Sequence, residues 1–486
     1  MRSFIRRALL GSALSVAACS LGGSTVSLGG SSRALDAGAG GANIASGGAL
    51  NVVPSEVPCA NGKKTSVSGT VYDPAGETPL YNAVVYIADD PGRALPPFAS
   101  VVACEKCSEP VPAKAVALSG PDGRFVLEGV PSGPLDLVIQ IGKWRRKTSI
   151  PSVIACQDNP LIDPNLTRLP RNHNEGDIPK IALSTGHSDA LECLLRKIGI
   201  DDSEFSTDSG AGRVNMFVGC VGDDSGSTPP HFGANQFAAN LGGQPFPSTN
   251  RLFDSGELSQ YDVVIFSCEG HKCDTIQTPA NVAQLVDYEN RGGRVFLDHD
   301  HYNWLNHADA PIEKAAQFSS SPDIPSPLAA DIYTSEQALS DGGSVGFPKG
   351  DAFAQWLYAV HASATLGVLN IYGAKTSCES LDPNRAQNWI YRSKSPAGFF
   401  YFTIGTPVAE ADDTPAPEAC GRVVFTDLHV SAAGVSADYS DEATPFPLGC
   451  VSKELTPQEL ALEFMIFDLS SCVQQETAEP TAPPPR

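Results

Sequence analysis

GGRVFLDHDHYNW, residues 292–304, places two glycines before a short apolar run and two Asp–His pairs directly after it. A run of this length between a glycine turn and a polar loop reads as a buried strand. In open α/β sheets ligands bind beyond the carboxyl ends of the strands, so the tetrad Asp298-His299-Asp300-His301 falls where a site is expected. Imidazole and carboxylate together suit a divalent metal such as zinc, or a general acid–base pair. The plainer alternative is a polar loop in which Asp298 and His299 bind neighbouring backbone, while His301, Tyr302 and Trp304 pack under an insertion. If the strand continues through the tetrad, Asp298 and Asp300 share one face and His299 and His301 the other.

Working outward, the flanks repeat the strand–helix alternation. KIALSTGHSDALECLLRKIG (180–199) reads as strand, loop and helix, with Asp189 and Glu192 spaced as a capping box. RVNMFVG and YDVVIFSCEG are further strands, and PANVAQLVDYENRGG is a helix ending at Gly292. DAFAQWLYAVHA is a helix; LGVLNIY, GFFYFTI and GRVVFTDLHV are strands. The last helix, TPQELALEFMIFDLSS, has Thr456 as N-cap, Pro457 at N1 and Glu459 at N3. The expectation for 180–473 is an α/β domain with a mainly parallel sheet. Four loops would then share one edge: Ser184-Thr185-Gly186-His187, Cys268-Glu269-Gly270-His271, the tetrad, and Asp427 to Ser431. The catalytic candidates are Asp298, His299 and His429. His187, Glu269, His271, Asp300, His301 and Asp427 are ligand-binding candidates, and His299, His301 and His429 are the candidates for a metal.

Residues 59–158 have a different pattern. TSVSGTVYD, NAVVYIA, AVALS, GRFVLEGV and LDLVIQIG are short strands, and Pro121-Asp122-Gly123 and Pro131-Ser132-Gly133 are turn signals. They predict a small antiparallel β-sandwich. Residues 159–179 are polar and contain proline, as a linker would; 474–486, ending TAPPPR, reads as a disordered tail. Residues 19–58, rich in Gly, Ser and Ala, cannot offset their ordering entropy and read as a flexible tether of ~35 Å root-mean-square span.

The N-terminus bears on location. Arg2, Arg6 and Arg7 precede a short apolar stretch that ends in Val16-Ala17-Ala18-Cys19. This resembles the lipobox of bacterial lipoproteins, which implies a signal peptide over 1–18 and acylation of Cys19. The alternative is an ordinary signal peptide with an incidental cysteine. Ser20, rather than an aspartate, follows the cysteine, and in such lipoproteins this favours the outer membrane. The membrane is then a partner through lipid alone. A net charge of −22 makes nucleic acid an unsuitable partner. Of 13 cysteines, those beyond Cys19 are even in number, as expected for disulfides in an oxidising compartment. Each half of the chain is expected to pair its own. Cys104 and Cys107 are spaced as a redox pair could be, though they lie in a β-rich insertion. CEGHKC (268–273) offers two thiols and a histidine as soft metal ligands.

SGTVYDPAGETPLYNAVVYI with SGPDGRFVLEGVPSGPLDLVI closely resembles the carboxypeptidase regulatory-like domain, a seven-stranded transthyretin-like module within a broader carbohydrate-binding-like group. LVDYENRGGRVFLDHDHYNW with GRVVFTDLHVS is similar to the class I glutamine-amidotransferase-like, flavodoxin-like fold, in the branch of trehalose-utilisation-protein-like domains. There is one departure. The catalytic amidotransferases carry a cysteine in a G-x-C-x-G elbow after the core strand, where this chain has Leu297-Asp298-His299-Asp300. That resemblance therefore implies a degenerate domain. The function expected is a non-enzymatic, outer-membrane-anchored lipoprotein that binds a glycan, peptide or envelope partner and needs no cofactor. The alternative is a metal-assisted, hydrolase-like enzyme with zinc or another divalent ion at the sheet's carboxyl edge.

Overall fold

The computed structural model describes residues 58–486 except 221–232, 309–310, 320–323, 325–326, 411–417, 431–444, 449 and 451–453. The leader over 1–18, Cys19 and all but the last residue of the 19–58 tether lie outside the described residues.

The first part of the described chain is β-rich. Its strands are β1 (Ser66–Thr70), β2 (Val84–Ala88), β3 (Ala113–Leu118), β4 (Arg124–Glu128), β5 (Gly133–Ile141), β6 (Trp144–Val153) and β7 (Asp158–Leu161). They form two sheets, ordered β4-β1-β7 and β3-β2-β5-β6. The pairing is antiparallel except between β1 and β7, which run parallel. Val67, Phe125 and Leu127 of one sheet and Val85, Ile87, Leu137 and Ile139 of the other share one apolar core. The predicted turn at Pro121-Asp122-Gly123 forms, with the Gly123 N–H donating to the Gly120 carbonyl at 2.9 Å.

Residues 159–179 are not a free linker. They contribute α1 (Pro164–Thr167), bury Leu169, and pair Arg145 with Asp177 through the backbone. Arg168 clamps Glu175 through both guanidinium nitrogens at 2.6 and 2.8 Å, which folds the polar residues against one another rather than into solvent.

The remainder carries β8 (Ile181–Thr185), α2 (Leu191–Lys197), β9 (Phe205–Ser206), β10 (Val214–Val218), β11 (Gln236–Phe237), β12 (Val263–Phe266), α3 (Pro279–Asn290) and β13 (Arg294–Asp298). Then come α4 (Asn303–Asn306), β14 (Ala316–Phe318), β15 (Leu328–Ile332), α5 (Ser335–Ser340), α6 (Pro348–Ala359), β16 (Val368–Ile371) and β17 (Cys378–Leu381). The chain continues through β18 (Ala386–Arg392), β19 (Gly398–Thr406), β20 (Gly421–Thr426), β21 (Pro445–Phe446) and α7 (Pro457–Ser470). Among the described residues a ten-stranded sheet runs β16-β15-β18-β19-β20-β13-β12-β8-β10-β9. From β20 to β9 every neighbour is parallel; from β16 to β20 every neighbour is antiparallel. The expected "mainly parallel" sheet is thus parallel on one side only.

β13 is central, between β12 and β20, with all five residues buried. Its alternate side chains enter different cores: Phe296 on one face, with Leu183, Ile265 and Val424, and Val295 and Leu297 on the other, with Ala182, Val264 and Phe425. The turn that feeds it depends on a bare glycine. The Tyr288 ring lies where a Cβ on Gly293 would sit, 2.2 Å away, and Tyr288 donates to the Tyr261 carbonyl at 3.2 Å.

α7 forms with the predicted capping box between Thr456 and Glu459. It has no polar face because both sides are covered. Tyr81 stacks on Phe464, Trp144 packs edge-on to Phe467, and α6 and the ten-stranded sheet take the rest. The tail expected to be disordered is docked: the Val111 N–H donates to the Pro484 carbonyl, the Arg486 N–H to the Val111 carbonyl, and Glu476 pairs with Lys349 and Arg422.

Pairing within each half was expected for the cysteines, and the structure corrects this. Cys59–Cys156, Cys193–Cys450 and Cys220–Cys273 are local to their halves, whereas Cys104–Cys420 and Cys107–Cys472 cross between them. Cys104 and Cys107 therefore do not form a redox pair. Cys268 and Cys378 are unpaired and buried.

Several inward-facing carboxyl groups are sealed in the core. Burial pushes Glu192 and Glu289 up to about 8, and Glu463 well above the ordinary carboxylate range. Between about pH 4.5 and 8 the unfolded chain has released these protons and the folded chain has kept them, so stability falls as pH rises through that window. His301, which burial lowers to about 4, acts in the opposite sense only between about 4 and 6.5. Thermal melts at fixed ionic strength are therefore expected to give a higher midpoint at pH 6 than at pH 8.5. An equal or lower midpoint at pH 6 contradicts the sealed carboxyls.

Candidate functional site

Three loops at the carboxyl edge of the parallel strands bring their side chains together. The donor atoms of Asp189, His299 and His429 all lie within 4.8 Å of one another. Asp189 follows β8, His299 follows β13 and His429 follows β20.

Asp189 is the hub. Its Oδ1 accepts the Val430 N–H at 2.6 Å. Its Oδ2 lies 2.9 Å from His429 Nδ1 and 3.2 Å from His299 Nδ1. The two imidazoles stack with centroids 4.0 Å apart. The expected capping role is not what Asp189 does: α2 begins after Ala190 with no side-chain cap. Burial alone would raise Asp189, but His429 and His299 hold it below the usual carboxylate range.

The strand does not continue through the tetrad. It stops at Asp298, and residues 299–302 form a 3-10 turn whose first residue, His299, has φ 45°. A non-glycine residue in the left-handed region is strained, and such strain collects at functional turns. The turn overturns the expected alternation of faces. Asp298 and His299 lie side by side, Asp298 Oδ1 being 2.5 Å from His299 Nδ1. Asp300 instead pairs with Lys375 at 2.9 Å. His301 points elsewhere: its Nε2 donates to the Ser267 carbonyl at 2.9 Å, and its Nδ1 accepts from Gln277 and Trp304, each at 3.3 Å. That pattern satisfies a neutral ring, so His301 holds the loop together and stands outside the convergent trio.

His299 is fully buried, and neither ring nitrogen has an aligned hydrogen-bond partner; Asp298 Oδ1 has none either. These atoms crowd together without pointing along one another's N–H directions. Burial pushes Asp298 up to about 7, against the pull of His299. For His299 the burial penalty is outweighed by Asp298, Cys268 and Asp189, which raise it well above the ordinary imidazole range.

The other expected residues serve supporting roles. Asp427 accepts the Ser377 and Cys378 N–H groups at 2.6 and 3.4 Å, fixing the segment before β17, and burial raises it. Glu269 accepts the Cys220 N–H at 2.9 Å and is pushed up to about 8 by burial. His187, half-buried, shares a loop with Asp189, but Asp189 is the residue of that loop in the convergent trio. His271, also half-buried, is close enough to His301 to oppose its protonation. CEGHKC cannot supply three ligands, because Cys273 is bridged to Cys220.

One residue of the cluster was not foreseen. Asp189 resembled a helix cap; its position just past the carboxyl end of β8 was the available signal. Cys268, counted among the paired cysteines and among the soft ligands of CEGHKC, is unpaired, and burial pushes it up to about 11.

No protein-family model matches the chain, and no curated protein matches it. The solved structures that align with it include the C-terminal and N-terminal interface mutants of a type II cohesin–X–dockerin complex from Acetivibrio cellulolyticus. Each shows 16% identity and a TM-score of 0.15, covering 29% and 30% of this chain and 75% and 78% of those chains. Alignment at that score carries no argument about fold or function.

Proposed function

We propose that this chain is an exported, outer-membrane lipoprotein, acylated at Cys19, whose folded part binds a glycan, a peptide or another envelope protein without catalysing a reaction. In this reading the two-sheet part is a carboxypeptidase regulatory-like module. The other part is a diverged glutamine-amidotransferase-like domain with a divalent metal at its carboxyl edge. Seven strands in two sheets support the first assignment. The second is supported by the parallel strands: setting aside the two-residue edge strand β9, those in chain order β8, β10, β12, β13, β20 stand as 2-1-3-4-5, the flavodoxin-like arrangement. Where a catalytic relative would carry its elbow cysteine, this chain has the strained, enclosed His299.

The observation that carries the metal is the convergence of Asp189, His299 and His429 without hydrogen-bond alignment at His299. Ligands ~2.0–2.1 Å from a tetrahedral zinc lie ~3.3 Å apart. The contacts of 2.9 and 3.2 Å about Asp189 Oδ2 are close to that spacing. Full-length protein purified without an affinity tag should retain about one zinc-class ion per chain through dialysis, and His299→Ala should retain almost none. Wild type that takes up no zinc even when supplied with it overturns the metal.

A groove of 240 Å³ offers a place for the binding role. Tyr86, Phe98, Gln140 and Arg145 line it, with Arg486 from the docked tail. Phe98 carries Arg145 over its ring at 4.0 Å. The hydrolase-like reading has one feature in its favour: the His429 side chain is 18% exposed, so the trio is not wholly sealed. Ester hydrolysis by the zinc-loaded protein that disappears in His429→Ala would replace the non-catalytic reading with that one.

A further inference from the structure

The tail over 474–486 meets the body of the protein at a regular spacing. Of the described residues 479–486, Pro483 alone is buried and Pro480 is half-buried, while Thr481 and Ala482 between them are exposed. Three positions on, the Arg486 N–H donates to the Val111 carbonyl at 2.9 Å, and its Nε–H to the Pro110 carbonyl at 3.1 Å. A polyproline II helix has three residues per turn, which puts positions 480, 483 and 486 on one edge. The tail therefore offers its own chain a Pro-x-x-Pro-x-x-Arg edge.

The surface it lies against suits that form. Pro483 and Arg486 line the groove of 240 Å³ together with Tyr86, Phe98, Pro97 and Pro112. Aromatic-lined grooves take proline-rich segments readily, because a preformed extended helix loses little entropy on docking. Arg145 fixes the Phe98 side of the groove: its guanidinium stands over that ring at 4.0 Å, and its Nη2 donates to the Pro96 carbonyl at 2.7 Å. Glu109 lies in the same lining and complements a basic residue three positions after the second proline. The tail itself is lightly held. Beyond Glu476, which Lys349 and Arg422 anchor, it rests on Pro483 and on the hydrogen bonds at Pro484 and Arg486, and it leaves the groove open beside it.

We propose that this groove is a recognition site for an extended, proline-rich peptide of another chain, carrying Pro-x-x-Pro-x-x-Arg, and that the tail fills part of it as a tethered competitor. The inference rests on the binding role proposed above and assigns that role a partner class. A tethered segment acts at an effective concentration on the order of millimolar, so the tail sets the threshold that a partner peptide must overcome.

The probe is a fluorescein-labelled peptide of residues 477–486, read by anisotropy against two full-length proteins. One is wild type; the other has residues 477–486 replaced by Gly and Ser, which keeps Glu476 in place. The tail-replaced chain should bind the peptide ~10-fold or more tightly than wild type, because the tethered competitor is gone. Phe98→Ala in that background should weaken binding by ~10-fold, as loss of an aromatic anchor does. A second peptide, which keeps only Pro480, Pro483 and Arg486 and has serine elsewhere, should bind comparably; exchanging its two prolines for alanine should abolish binding. Equal binding by both proteins, binding unaffected by Phe98→Ala, or binding of the first peptide without the second overturns the proposal. A tail-replaced chain that takes neither peptide, while the full-length protein binds a glycan, overturns this inference and leaves the binding role standing; binding of neither class overturns both. If the tail-replaced chain does not fold, Pro483→Ala decides: it should bind the first peptide more tightly than wild type, and equal binding overturns the proposal.

Discussion

Asp468→Ala is expected to cost about 3–5 kcal/mol, the range for removing one partner from a buried ion pair. Asp468 sits near the end of α7, where its two carboxylate oxygens serve separate cations: Lys349 Nζ at 2.8 Å and an Arg422 guanidinium nitrogen at 2.9 Å. Glu476 closes the square, 2.9 Å from each cation. Lys349 and Arg422 are almost fully buried. Burial would push Asp468 up, yet the two cations hold it below the ordinary carboxylate range, so it is charged at neutral pH. Removing it leaves two enclosed cations sharing Glu476. Urea unfolding should show a lower midpoint at an unchanged slope. Lys349→Met added to Asp468→Ala should recover part of the loss, because the surplus charge goes with it. A single variant within about 1 kcal/mol of wild type would mean that water reaches this network.

The same square shows where reading the chain alone stopped. α7 was legible at its start, since Thr456, Pro457 and Glu459 carry their capping instructions locally. Its end was not, because Asp468 is explained by cations over a hundred residues upstream in one case and 46 upstream in the other. The strand over 294–298 was legible because it is apolar at every position but its ends, and burial on two faces demands that pattern. The loop after it was legible as a site but not as a geometry. Extended alternation assigned His299 and His301 to one face; one residue with φ 45° turned them apart and set His299 beside Asp298. Asp189 was hidden by ambiguity, since an acidic residue just before a helix satisfies a capping pattern whether or not it caps. The antiparallel strands β15 and β18 went unread because LAADI and AQNWIYR lack the clean alternation that marks a strand by itself; β18 is held by β19, and β15 by β18 and β16. Cysteine parity predicted that disulfides form, and parity is blind to which partners meet and to which thiols, here Cys268 and Cys378, stay unpaired.

Removing both bridges that join the two halves is expected to be the most damaging change of all. Cys104–Cys420 and Cys107–Cys472 span 316 and 365 residues of sequence. They interleave along the sequence, so either one, with the other intact, closes only the few residues between 104 and 107 plus those between 420 and 472. The chain-entropy estimate for such a loop is ~4 kcal/mol, whichever bridge is opened. Opening both also restores the freedom of the long loop, and the same estimate rises to ~8–10 kcal/mol, comparable with the whole stability of an ordinary fold. The bridges also hold a surface segment: the Val473 N–H donates to the Glu105 carbonyl at 2.8 Å, and the Cys107 N–H to the Val473 carbonyl at 3.3 Å. The contacts that remain include α7, with Tyr81 and Trp144 against its phenylalanines, the Trp356 indole donating to the Pro79 carbonyl at 2.7 Å, the Lys143–Asp262 ion pair at 2.5 Å and the Val102 N–H on the Ser259 carbonyl at 2.8 Å. Cys104→Ser with Cys420→Ser, or Cys107→Ser with Cys472→Ser, should therefore fold with a lowered melting temperature. The fourfold variant should either fail to accumulate folded protein at 37 °C or melt in two steps, with protease cutting first between residues 95 and 112. A fourfold variant that melts within a few degrees of wild type, in a single step, would show that the non-covalent contacts hold the halves together without the bridges.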